Sequence, residues 1–156
     1  MQYAPEGMWT QTELDNKFAQ ELNDKPQWKV STNFKIHPNL NLEKLTDNKF
    51  ERPFFSSKGN RDKGHAITIA LPKIAVISEV VIDSTLLTAF YSRHYTIEFS
   101  VDGSEWNTVV ENRTAGELNR EQTLGHQAKY IRITNQKKAN RKPWRIHEVS
   151  LFGSYL

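Results

Sequence analysis

The chain has 156 residues, 37% of them hydrophobic, 11% aromatic and 25% charged, the proportions of one globular domain and too little chain for two domains with a linker. There is no cysteine, which excludes disulfides, thiolate chemistry and cysteine zinc sites. Lys and Arg exceed Asp and Glu by 21 to 18, a weak excess gathered in Lys137, Lys138, Arg141, Lys142 and Arg145, which reads either as a solvated loop or as a rim that contacts an anion.

Thr10 and Glu13 can form a reciprocal cap, and Leu14, Phe18 and Leu22 recur every four residues, so a short helix is predicted over residues 11 to 22, ended by Asn23, Asp24 and Pro26. Residues 1 to 27 are read as a helical extension and 28 to 156 as the domain proper. From Trp28 onward the helical period is gone. Ala66 to Leu71 and Ile74 to Asp83 are β-branched runs parted by Pro72-Lys73, which predicts two strands and a turn. Tyr95, Ile97, Phe99 and Val101 alternate with Thr96, Glu98 and Ser100, a strand with one face inward. Asp102-Gly103 marks a tight turn into Trp106 to Val110, with Trp106 expected to cover the end of the core. Arg120 to Leu124, Ala128 to Thr134 and Ile146 to Phe152 supply further strands, and Gly153 is expected to end the last of them. Many short strands with one helix exclude a βαβ architecture, and the predicted fold is an all-β antiparallel sandwich of jelly-roll type. Binding groups then belong on the loops at one end of it.

The strings "LTDNKFERPFFSS" (45 to 57), "AITIALPKIAVISEVVI" (66 to 82), "YTIEFSVDGSEWNTV" (95 to 109), "AKYIRIT" (128 to 134) and "IHEVSLFG" (146 to 153), after "WKV" at 28 to 30, give the chain a resemblance. In this order it resembles the discoidin, or coagulation factor V/VIII type C, family, which overlaps with family 32 carbohydrate-binding modules and their galactose-binding-like jelly roll. The resemblance implies a non-catalytic module. It also implies a structural calcium near the ligand loops, with Asp47 and Glu148 at the matching carboxylates and the Lys44 carbonyl nearby. Here the pattern departs, because Asn48 stands in place of a glycine, with Lys49 and Arg52 where oxygen ligands are expected. Cations in a calcium loop oppose calcium. The leading expectation is no cofactor, with Arg52, helped by Lys49, bridging Asp47 and Glu148 by a guanidinium fork; scattered surface roles for these residues and, less favoured, a bound calcium are the alternatives.

Sugar sites combine an aromatic face with planar polar donors, and three loops offer such groups. Asn60 and Arg61 lie in a glycine-flanked loop, Tyr91, Arg93 and His94 follow Phe90 in a second, and Trp144 stands among Arg141, Lys142 and Arg145 in a third. For Trp144 two readings stay open, a stacking platform or a buried loop anchor. His37 and His126 have no metal spacing and read as structural or surface residues, and Phe54-Phe55 as buried in preference to a membrane spike. No G-x-S-x-G elbow, phosphate loop or H-E-x-x-H helix is present. The leading expectation is a carbohydrate-binding module for a glycan, an acidic one included. The alternative is a protein-interaction or adhesion and assembly module, with nucleic acid third. No run approaches the length of a membrane span. The location expected is extracellular or cell-surface for an excised module and cytoplasmic for a complete chain.

Overall fold

A computed structural model describes residues 20–49 and 54–156. Nine strands lie among the described residues: β1 (Gln20–Glu21), β2 (Lys29–Thr32), β3 (Phe55–Ser56), β4 (Ala66–Asp83), β5 (His94–Ser100), β6 (Asn107–Thr114), β7 (Leu118–Asn135), β8 (Arg145–Ile146) and β9 (Glu148–Tyr155). All pairings are antiparallel. The helical elements among the described residues are 3-10 turns at Lys25–Gln27, Leu42–Leu45 and Thr88–Phe90.

Two long strands make the sandwich. The first half of β4 pairs with β2 on one side and with Tyr130 to Thr134 of β7 on the other; β5 and β6 extend that layer. The second half of β4 pairs with β9 and with Leu118 to Ala128 of β7, and β1 adds itself to β9. The break falls between Ala70 and Ala75, where Pro72 brings no N–H to the ladder. What the sequence reads as a turn is thus a bend that carries one continuous strand from one layer into the other. In β7 the crossing falls opposite this bend, between Ala128 and Tyr130, while Leu124-Gly125, with φ of 55° and 72°, bulges the strand between Gln122 and His126 within the second layer. The strands expected at 120 to 124 and 128 to 134 are accordingly one strand. Ile67, Ile69, Ile97, Phe99, Ile131 and Ile133 of one layer meet Ile77, Val80, Ile82, Val149 and Leu151 of the other in a single buried cluster.

Other expectations are corrected. Residues 11–19 of the predicted helix lie outside the described residues; its last turn is strand, since Gln20 and Glu21 pair with Gly153 and Phe152 and the Leu22 amide donates to the Leu151 carbonyl at 2.8 Å. Leu22 belongs to the core. In β5, Thr96 and Ser100 are buried although they share the polar face, because their hydroxyls accept the amides of Asn112 and Gly103. Val101 falls beyond the strand and is exposed. Trp106 is half-buried beneath the Arg132 guanidinium, 3.9 Å from its ring centre, rather than covering the core. Gly153 is an interior residue of β9, not its end.

Tyr95 and Tyr155 each tie strands to a carboxylate. The Tyr95 hydroxyl donates to Glu121, which also pairs with Arg113 at 3.3 Å. The Tyr155 hydroxyl donates to Asp24 at 2.6 Å, and the other Asp24 oxygen accepts the Trp28 indole N–H at 3.0 Å. Burial pushes both phenols up from their ordinary range, and the carboxylate each one serves adds to the shift. A pKa raised on folding stabilises fully below the unfolded value, about 10 for tyrosine, and that contribution is lost as pH rises above it. Denaturant melts between pH 8 and 11 should therefore show the wild type losing stability with a steeper slope than Tyr95→Phe or Tyr155→Phe. Parallel slopes for all three would contradict this assignment.

Candidate functional site

At one end of the sandwich the loop from Ser84 to Arg93, between β4 and β5, meets β8 and the segment entering β3. Arg145 organises this meeting. It enters from β8, whose Ile146 pairs with Phe55 and fills the core, so the next side chain along points to the opposite face. Its guanidinium carbon lies 4.2 Å from the Phe90 ring centre and 5.7 Å from that of Phe54, and its Nε reaches the Ser56 hydroxyl at 3.4 Å. Phe54 meets His147 edge-on at 5.3 Å. Phe54, Phe90, Tyr91 and Arg145 are all half-buried, which leaves aromatic face and cation together at the rim.

Beneath the rim lies Arg61, only 2% exposed. Its Nη1 donates to the carbonyls of Ala89 (3.3 Å) and Pro143 (3.2 Å), which ties the two loops together, while its buried Nε has no partner. Burial first, and then the like charge of Arg93, pull this guanidinium down to about 10, against an opposing effect of Tyr91. It remains a cation at neutral pH. Arg93 is exposed and stands 5.0 Å from the Tyr91 ring centre. Among the described residues, Arg61, Arg93 and Arg145 take part in no ion pair.

Of the six ligand residues named from sequence, Arg61, Tyr91 and Arg93 come together here. His94 opens β5, half-buried, and its carbonyl accepts from Ser92 and Gln136. Asn60 turns elsewhere: it lines a separate open cleft of ≈ 460 Å³ with Phe34, Lys58 and His65, and its side-chain oxygen accepts the Arg141 amide at 2.6 Å. Trp144 is 1% exposed and stacked on Phe34 at 5.9 Å, so of its two readings the structure shows the anchor. Lys137, Lys138, Arg141 and Lys142 are exposed, and Arg145 alone of that basic segment turns into the site. Phe55 is fully buried and Phe54 is the rim residue. Sequence reading missed Arg145 and Phe54 as a pair, because their contact depends on the β3–β8 ladder, which joins residues some ninety positions apart.

The carboxylates that the resemblance assigns to calcium lie next to this end. Arg52 is outside the described residues. Among the described residues, Glu148 meets the Lys25 ammonium, 2.7 Å from its Oε2, and the Asn48 amide donates to both its oxygens at 3.0 Å. Burial pushes the Glu148 carboxyl up, against the downward pull of Lys25 and the Asn48 amide. Asp47 Oδ1 accepts the Lys49 amide at 2.9 Å, and its Oδ2 faces the Lys44 ammonium at 3.9 Å.

A two-layer antiparallel jelly roll of this kind is a β-sandwich domain. The F5/8 type C domain profile matches residues 26–149, and the chain belongs to that family. Among solved structures, CBM32-3 from a family 31 glycoside hydrolase of Clostridium perfringens superposes with a TM-score of 0.70 at 19% identity, over 90% of this chain and 98% of that one. The family 32 module of NanJ from the same organism, in complex with galactose, gives 0.70 at 13% identity over 86% and 99%. The paired CBM32-1 and CBM32-2 domains of ZmpB from Clostridium perfringens, in complex with GalNAc, give 0.70 at 12% identity; this chain covers 36% of that one and is itself covered over 90%. No curated protein sequence matches significantly.

Proposed function

We propose that the protein is a non-catalytic carbohydrate-binding module whose loop end docks a glycan bearing an anionic group. The observation that carries this reading is the group of three guanidiniums, Arg61, Arg93 and Arg145, set among Phe54, Phe90 and Tyr91 without a carboxylate counter-ion among the described residues. Family membership supports the module, and structures of the same fold holding galactose and GalNAc support the ligand class. The aromatic faces would take the C–H surface of a sugar ring. The guanidinium forks of Arg93 and Arg145 would take its carboxylate or sulfate, a bidentate geometry that lysine does not offer, with the buried charge of Arg61 beneath them. Binding is reversible docking, in which no bond of the glycan is broken.

A screen of the intact chain against neutral, carboxylated and sulfated glycans tests the reading. The acidic members should be selected, with affinity falling as salt is raised. Removing a charge-assisted hydrogen bond costs about 1.5–3 kcal/mol, so Arg145→Ala should weaken the selected glycan roughly 10- to 150-fold by calorimetry. Selection of neutral sugars unaffected by Arg145→Ala and Arg93→Ala would refute it, as would silence on the glycans together with stoichiometric capture of one protein partner.

A further inference from the structure

The Lys25 side chain is wholly buried, with 0% of it exposed, and Glu148 retains 1%. An ammonium has three N–H donors. Three acceptors meet Lys25 Nζ within hydrogen-bond distance: Glu148 Oε2 at 2.7 Å, Asn48 Oδ1 at 2.9 Å and Ser150 Oγ at 2.9 Å, with Glu21 Oε2 a fourth oxygen at 3.4 Å. The cation is thus saturated, and the oxygens come from three separate parts of the chain. Local structure delivers it. Pairing of β1 with β9 lays the N-terminal segment over Glu148 and Ser150, and the 3-10 turn at Lys25–Gln27, started by Pro26, points Lys25 inward. Asn48 adopts a left-handed φ of 59°, a conformation asparagine tolerates, and so offers both its amide and its side-chain oxygen to the same cluster.

Calcium does not fit this donor set. It takes six to eight oxygens at 2.3–2.6 Å. Here Glu148 Oε2 already holds an ammonium, both Glu148 oxygens face a backbone N–H, which donates and cannot ligate, and Asp47 is engaged by Lys44 and the Lys49 amide. A divalent ion would have to expel Lys25 and leave a second positive charge beside itself. Lys25 also lies one residue before the segment that matches the family profile, outside the region where family comparison would reveal it.

The geometry points to Lys25 as a tethered cation that stands where a metal would otherwise hold the loop end together. The ammonium ties the Asp47-Asn48 loop to the start of β9, directly beside His147 and upstream of the chain that leads to Phe54. The domain therefore needs no divalent cation, and the segment that precedes the family match is an integral part of its loop end.

Calorimetric titration of the intact chain with calcium should give no saturable heat up to millimolar concentration, and melting temperatures in calcium and in EDTA should coincide. Micromolar calcium uptake, or a melting temperature raised by calcium, would overturn the proposal. Lys25→Met leaves Glu148 buried without its cation, and its melting temperature should fall by roughly 10 °C. A double variant, Lys25→Met with Glu148→Gln, leaves no buried charge and should melt above Lys25→Met, even where Lys25→Met alone fails to fold. A Lys25→Met variant as stable as the wild type, or a double variant no better than the single, would show that Lys25 does not carry this role.

Discussion

Gly153→Ala should be the most damaging small substitution in the domain, at about 4 kcal/mol or more, the range reserved for steric or burial failures in the core. A Cβ built on Gly153 falls 1.9 Å from the Val76 carbonyl oxygen, 3.0 Å from its carbon and 3.1 Å from Ile77 Cα. These are backbone atoms, so no rotamer change relieves the clash. They cannot retreat either, because that stretch of β4 is paired with β7 on its other edge. The close approach comes from the register irregularity between Ile77 and Glu79, which brings β9 and β4 nearer than a side chain permits. Gly59→Ala and Gly116→Ala are the controls, since nothing lies within 4 Å of a Cβ at either position; each should change stability by less than about 0.5 kcal/mol. Urea melts of the three variants decide the matter, and equal midpoints would mean that β9 does not pack against β4 in this register.

The same irregularity shows what a reading of the sequence reaches and where it stops. Alternation placed Tyr95, Ile97 and Phe99 in the core, because a strand with one buried face writes its period of two directly into the chain. A bent strand writes an interruption instead. Pro72 and Leu124-Gly125 look like turns in one dimension, and only the strand partners show that the chain continues, β4 through a bend into the other layer and β7 through a bulge within one layer. For the candidate site, residue type singled out Arg61 from a glycine-flanked polar loop and Tyr91 and Arg93 from a loop where aromatic and cationic groups lie close in sequence. Arg145 with Phe54, and Lys25 with Glu148, were out of reach because each pair is joined by strand pairing over long separations, with no local pattern to mark it. Glu148 was identified through resemblance as a residue that needs a cation. Nothing in "NDKPQW" (23 to 28) shows that its lysine reaches Glu148.

Trp144 separates stability from recognition. Its indole is 1% exposed and belongs to the core cluster with Phe55 and Tyr95. It is stacked on Phe34, and its amide is bound by the Ser57 hydroxyl at 2.8 Å while its carbonyl accepts the Ser57 amide at 2.9 Å. Truncation of so large a buried side chain costs about 3–5 kcal/mol, from lost burial and from the cavity that remains. Trp144→Ala should show that loss in denaturant melts. Trp144→Leu keeps more of the volume, removes the aromatic face, and should fold with a smaller penalty. For the glycan that the screen selects, Trp144→Leu should bind within about threefold of the wild type once scaled to folded protein, a difference of about 0.7 kcal/mol or less, whereas Arg145→Ala loses affinity without a comparable loss of stability. The contrast follows from placement: the indole supports the floor beneath Pro143 and Arg145, while the guanidinium and its two phenyl neighbours face outward. A Trp144→Leu protein of wild-type stability that no longer binds would put the indole in the binding face and remove the ground for assigning recognition to the arginine rim.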